Sequence, residues 1–385
     1  MNQHSACACP KRNHLPTRLL RIDGPKDVKL HVTSNEASQY ICLSHCWGTL
    51  PIIKTTSLNL EKFQQNIPWE ELSKTFQDAI SFSLRLGYTY IWIDSLCIIQ
   101  DSDKDWRHEG SKMASIYQNA VLTLAATSSS NSNGGCFVKA PAKHQSRKWR
   151  FIDAENNAYE IHTRTHLNHS RFLHWELPLS TRAWAFQERL LSPRLLHFTD
   201  NELIWECSSW ISCECSSIHD TPWFPAKSVT NKILSRPNEW ADEPLIKVDR
   251  QWQDIVCAYK AKDLSFEKDI FPALQGLAKM MPDKMGPYLA GLWRNTLASN
   301  LTWYVPCFDP RKMRAGEWRA PGEWRAPSWS WASNAAQRFW SCGLKSLQTK
   351  KQQGTGRLGL FSNTAVGIWM LLNALDFYRS TTLVS

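Results

Sequence analysis

Between residues 40 and 127 the chain keeps changing its hydrophobic period, and that alternation constrains the fold more than any other feature. Residues 40–47 (YICLSHCW) form a short apolar run that stops at Gly48, the pattern of a buried strand. Pro68 followed by Trp69, Glu70 and Glu71 reads as a helix start, with acids near the positive end of the dipole. Leu72, Phe76, Ala79, Ser83 and Leu86 then share one helical face, and Gly87 ends the helix. Residues 88–99 read as a second strand, residues 102–120 as a second helix and residues 121–126 (VLTLAA) as a third strand. Strand, helix, strand, helix, strand predicts an α/β fold: a flavodoxin-like parallel sheet with flanking helices.

After the SSSNSNGG loop at 128–135 the periodicity weakens. Residues 182–191 (RAWAFQERLL) read as helix, and residues 195–207 as two short strands with a turn at 199–201. The later part of the chain is therefore expected to be mixed α+β with antiparallel pieces. GEWRAP occurs twice in tandem, at 316–321 and 322–327. Two copies are too few for a repeat architecture and read as a lengthened loop. The expected divisions are a lead-in over 1–39, a first domain over 40–190, a mixed region over 191–334 and a tail over 335–385.

Composition removes several function classes. With 43% hydrophobic and 21% charged residues the chain is globular rather than disordered. The net charge is +10, but its densest basic runs, residues 143–150 and 345–357, are mixed with Ser and Gln and read as solvated loops. No nucleic-acid partner is expected. The N-terminal MNQHSACACPKRN has no apolar core of a secretory signal, and the twelve Cys are irregularly spaced. Reduced thiols and a cytoplasmic location are expected. Residues 358–376 carry no Lys or Arg, yet their Ser, Thr and Asn favour a buried amphipathic element over a membrane anchor.

The common nucleotide-binding, metalloprotease and hydrolase signatures are absent. Open α/β sheets bind ligands at the carboxyl ends of their strands. There the first strand places Ser44, His45, Cys46, Trp47 and Gly48, and the second places Asp94, Ser95, Cys97 and Gln100. On a helical wheel of residues 102–120, Trp106, Met113, Ile116, Tyr117 and Ala120 form the buried stripe. Glu109 falls inside it, whereas Arg107, His108, Ser111 and Ser115 fall outside. A carboxylate in an apolar stripe must be paired, protonated or facing a cleft. Glu109 is therefore either a structural partner of a buried Arg or a functional acid. Asp94, read as lying in a buried strand, either caps backbone N–H groups and fixes His45 or lines the site. Cys207, Cys213, Cys215 and His219 are zinc-type donors without a CxxC spacing and read as reduced structural thiols, so no metal is expected.

Four stretches in order resemble one family. They are YICLSHCWG (40–48), the run from TFQDAISF to VLTLAA (75–126), PLSTRAWAFQERLLSPRLLHFTDNELIWEC (178–207) and APSWSWAS (326–333). Together with LPTRLL at 15–20 they are similar to fungal HET (heterokaryon incompatibility) domain proteins. Departures are Ala183, where the family usually has Gly, the Ala185-Phe186 pair, and loss of the pattern after Ser333. The resemblance implies non-self recognition followed by regulated cell death. It implies partners among other incompatibility or NLR-type signalling proteins, or self-assembly as a homo-oligomer. The family's domain has been likened to the TIR fold, and some TIR domains cleave NAD with a helix Glu near a Trp. By that likeness Glu109 is the implied catalytic acid. Ser44, His45, Trp47, Gly48, Asp94 and Trp106 would then line the substrate site, with NAD as substrate and no bound cofactor. The alternative is a non-catalytic module that signals by assembly.

Overall fold

The computed structural model describes residues 15–34, 36–137, 141–169, 172, 176–208, 210–218, 243–303 and 325–333. In chain order its elements begin with strands β1 (Arg18–Gly24), β2 (Asp27–Val32) and β3 (Ile41–Ser44). Helices α1 (Leu60–Gln65) and α2 (Lys74–Arg85) follow, then strand β4 (Tyr90–Trp92), short helix α3 (Asp94–Cys97) and helix α4 (Asp103–Asn119). Next come β5 (Leu122–Ala125), β6 (Arg147–Ile152), β7 (Ala158–Thr163), α5 (Ala183–Leu191), β8 (Arg194–Phe198), β9 (Leu203–Cys207) and β10 (Ile211–Cys213). The last are α6 (Leu245–Lys260), α7 (Pro272–Ala278), β11 (Tyr288–Leu289), β12 (Leu292–Trp293) and α8 (Leu297–Asn300).

The chain divides into two units. The first holds residues 1–236 and 272–280, the second residues 237–271 and 281–385. The first unit is built on an eight-stranded sheet of order β10-β9-β8-β5-β3-β4-β1-β2. Its centre is parallel: β3 pairs with β4 and β5, and β5 pairs with β8. Antiparallel strands close both edges, β1 and β2 on one side and β9 and β10 on the other. The predicted parallel sheet is therefore present. Every residue of β3 and β5 is buried, as expected of strands covered on both faces.

Helix α4 sits where the sequence puts it, but the start read at Pro68 gives only a single 3-10 turn over Trp69–Glu71; the chain is extended at Leu72, and α2 begins after Ser73 and leaves Leu86 exposed. Ser102 caps α4 by accepting the Asp105 N–H at 3.3 Å, and Asp103 and Asp105 occupy the first turn. Gly87 stops α2 with a φ of 82°, a conformation that favours Gly. The buried residues of α4 are Glu109, Met113, Ile116 and Tyr117. Arg107, His108, Ser111 and Ser115 are exposed, so the expected stripe is the one that packs. Helix α7 lies against α4 and α5, and the Gly276 N–H donates to Gln187 Oε1 at 2.7 Å.

A second expectation needs correcting. Strand β4 ends at Trp92, and Asp94 starts helix α3 instead of continuing a strand to residue 99. The cause is local: the Asp94 Oδ1 accepts its neighbour Ser95 N–H at 2.7 Å, and the Ile98 N–H returns to the Asp94 carbonyl at 3.1 Å. A short acidic side chain offers the backbone this alternative to a ladder.

The second unit is smaller and is organised by tryptophans. Trp252 of α6 and Trp331 both donate their indole N–H to the Gly291 carbonyl, at 3.1 and 2.9 Å. Gly291 has a φ of 94°, and a Cβ there would meet Trp331 Nε1 at 2.5 Å. The APSWSWAS stretch thus packs as part of this unit's core. No helix among the described residues is long and apolar enough to cross a membrane. Residues 358–376, residues 316–324 of the GEWRAP tandem, and His219 lie outside the described residues.

Candidate functional site

Ser44 ends β3 and Asp94 follows β4, so both lie at the carboxyl ends of neighbouring parallel strands. The Trp47 indole N–H donates to Asp94 Oδ2 at 2.8 Å. His45 Nδ1 lies 3.8 Å from Asp94 Oδ1, and the His45 ring meets Phe76 edge-on at 4.9 Å. Asp94 therefore touches the Trp47 and His45 side chains that the sequence grouped with it. Helix α5 adds two groups to this rim. The Arg182 guanidinium donates to the His45 carbonyl at 2.9 Å, and the Ser44 hydroxyl donates to Glu188 Oε2 at 2.5 Å.

Gly48 holds the rim's backbone. Its φ is 75°, and a Cβ would meet Asn131 Cβ at 2.3 Å and Asn131 Cα at 3.0 Å. The loop at 128–135 presses on it, with the Ser132 hydroxyl bonded to the Cys46 carbonyl at 3.3 Å. Gly48→Ala combines left-handed backbone strain with a clash against main chain. It is expected to cost about 2–4 kcal/mol in denaturant unfolding. A cost under about 0.5 kcal/mol would show that the two loops are not in this contact.

Two rim groups have displaced titrations. Burial pushes His45 down to about 4; the Asp94 charge opposes this and Arg182 adds to it. Burial raises Glu188 to about 7, and the Asp94 charge adds to the rise, while the Ser44 hydrogen bond and Arg182 pull it down. The unfolded chain protonates His45 between pH 6.5 and about 4 where the fold does not, so that contribution is lost on acidification. For Glu188 the folded chain keeps a proton that the unfolded chain releases above 4.5, so stability is lost as pH rises towards 7. Between these limits the two slopes oppose each other. Glu188→Gln removes only the second. Its stability relative to the native chain should therefore rise from pH 4.5 to 7, by up to about 3 kcal/mol. Urea unfolding at pH 5 and pH 8 reads this difference; a difference independent of pH would contradict it.

Glu109 lies apart from the hydrogen-bonded rim. It has no exposed surface, and neither carboxylate oxygen accepts a hydrogen bond among the described residues. Its nearest basic groups are Lys112 Nζ at 3.8 Å and His108 Nε2 at 3.7 Å, both from its own helix and both partly exposed. Among the described residues, no buried Arg of the kind a structural role predicts forms an ion pair with it. One turn earlier, Trp106 is half-buried and meets Trp184 of α5 edge-on at 6.4 Å. Burial pushes the Cys97 thiol up, and the charges of Asp94 and Glu109 add to the rise.

The sequence reading did not select Glu188 or Arg182. A charged residue in RAWAFQERLL is ordinary by pattern; the signal was that all of α5 is apolar or buried, so its acid had to be buried too.

A mixed sheet with a parallel centre, whose strand ends gather Ser, His, Trp and two carboxylates, defines the class: an α/β domain with a polar centre at its carboxyl rim. Residues 40–188, which run from β3 into α5, match the family model described as Heterokaryon incompatibility protein (HET). No curated protein matches the chain, and no solved structure matches it.

Proposed function

We propose that this HET domain is the effector of a self/non-self response in a fungal cell, and that it acts by cleaving the nicotinamide–ribose bond of NAD. The observation that carries the reading is Glu109, a fully buried carboxylate with no hydrogen-bond donor on either oxygen, beside Trp106. In such a reaction the C1′–N1 bond breaks, and nicotinamide leaves with the bonding pair. Water adds at C1′ and one proton is released, giving ADP-ribose. The ribose passes through an oxocarbenium-like state, which an adjacent buried carboxylate stabilises strongly. Glu188, raised to about 7, is suited to hold or release a proton near neutrality.

This reading makes the described conformation a closed one. Opening must bring Glu109 to the substrate, and assembly with a partner or a second copy supplies the trigger. Release of nicotinamide and ADP-ribose from NAD, measured with the full chain, tests it.

A second reading is a non-catalytic module that signals through assembly. It is favoured by the rim's self-sufficiency: Ser44 pairs with Glu188, Trp47 with Asp94, and Arg182 with the His45 carbonyl. Under that reading NAD stays constant while the chain remains toxic on expression.

A further inference from the structure

At the far edge of the sheet four donor groups of different elements converge. His169 follows β7, Glu202 sits in the β8–β9 turn, Cys213 ends β10, and Cys215 lies in the turn after it. One ligand atom from each lies within 4.8 Å of the other three. We propose that His169, Glu202, Cys213 and Cys215 bind one zinc ion.

The donor set has the chemistry of zinc. Two sulfurs, an imidazole and a carboxylate suit a four-coordinate zinc, whereas calcium and magnesium take oxygen ligands and iron–sulfur clusters are held mainly by Cys thiolates. The two Sγ atoms are 3.4 Å apart. That is far beyond a disulfide bond and near the roughly 3.8 Å expected for two thiolates on one tetrahedral zinc. Ser216, with a φ of 57°, curls the chain after Cys215. The Ile218 N–H then points at Cys213 Sγ at 3.3 Å, an interaction that favours a thiolate.

Glu202 is oriented for one metal bond. Its Oε2 accepts the Cys215 N–H at 2.7 Å and Arg164 at 3.3 Å. Its Oε1 faces His169 Nε2 and lies 3.2 Å from Cys215 Sγ. The Glu202 side chain is 1% exposed and that of His169 10%. Beneath them Phe172, Leu177, Ile204, Ile211 and Ile218 form an apolar cluster with Cys213. Such a shell keeps water from the ion. Binding releases two thiol protons; the two thiolates, one carboxylate and Zn²⁺ then carry a net charge of −1, which Arg164 faces. With four protein ligands no position is left open, so the site is structural. It ties the β8–β9 turn to the turn after β10 and to residues 164–169. The sequence groups Cys213 and Cys215 with Cys207 and His219; the fold brings His169 and Glu202 to the two cysteines.

The test is metal content and cobalt substitution of the full chain, purified under reducing conditions. About one zinc per chain is expected. Titration of the metal-free chain with Co²⁺ should give a thiolate-to-cobalt charge-transfer band and the visible bands of a tetrahedral site. Cys215→Ser should retain about half of the charge-transfer intensity, and Glu202→Gln, which removes a charged ligand, should weaken Co²⁺ binding. A chelator should lower the melting temperature of the native chain. If the variants fail to fold, the cobalt spectrum of the native chain decides alone. A native chain that is zinc-free and gives no charge-transfer band with Co²⁺ would overturn the proposal. So would a Cys213–Cys215 disulfide found by mass spectrometry, or a cobalt spectrum unchanged in His169→Ala and Cys215→Ser.

Discussion

Arg189→Met is expected to destabilise the first unit by about 3–5 kcal/mol. Arg189 lies on α5 and reaches across to β9, where its Nε and a terminal nitrogen donate to the two Glu206 oxygens at 2.8 and 2.5 Å. Both side chains are nearly buried, and His197 Nε2 lies 3.0 Å from the same carboxylate. Removing the guanidinium leaves Glu206 as a charge in the core with its bidentate partner gone. The cost is that of the stranded charge, so it should fall sharply when the charge is removed as well. The double variant Arg189→Met, Glu206→Leu is therefore expected to recover most of the loss, since apolar replacements of a buried pair are often neutral. Urea unfolding of the two variants checks both statements. A single variant within about 1 kcal/mol of the native chain would mean that the pair is solvated rather than buried.

The parts of this fold that were legible in the sequence are those fixed by local periodicity. The alternation of buried runs and helical stripes placed β3, α2, α4 and β5. The stripe on α4 also put Glu109 inside and His108 outside, as the fold does. Asp94 was misplaced because strand periodicity carries no information about an acid bonding its own neighbour's N–H. The β1–β2 hairpin, whose burial alternates along β2, was passed over in a segment read only as a lead-in. Glu188 and Arg182 join the rim through contacts 144 and 137 residues distant in sequence. No spacing rule reaches that far. The His169, Glu202, Cys213 and Cys215 cluster has the same character: sheet pairing of β8, β9 and β10 brings Glu202 to the two cysteines, and His169 joins them from the segment after β7.

Glu109→Gln is expected to remove NAD cleavage and leave the fold intact. Glutamine keeps the volume and loses only the charge. That charge has no hydrogen bond to break among the described residues, and its ion-pair partners, Lys112 at 3.8 Å and His108 at 3.7 Å, are both partly exposed. Melting should therefore change little, because the groups left behind can be solvated. The rate should fall by about 10²–10³, the usual loss when one electrostatic stabiliser of a transition state is taken away. The direct measurement is NAD and nicotinamide in a heterologous host expressing the native chain or Glu109→Gln at equal level, with melting recorded on the purified proteins. The account predicts that the native chain depletes NAD with matching release of nicotinamide, and that Glu109→Gln melts alike and leaves NAD untouched. Toxicity of the native chain at constant NAD, no NAD loss at all, or equal depletion by both proteins would contradict it.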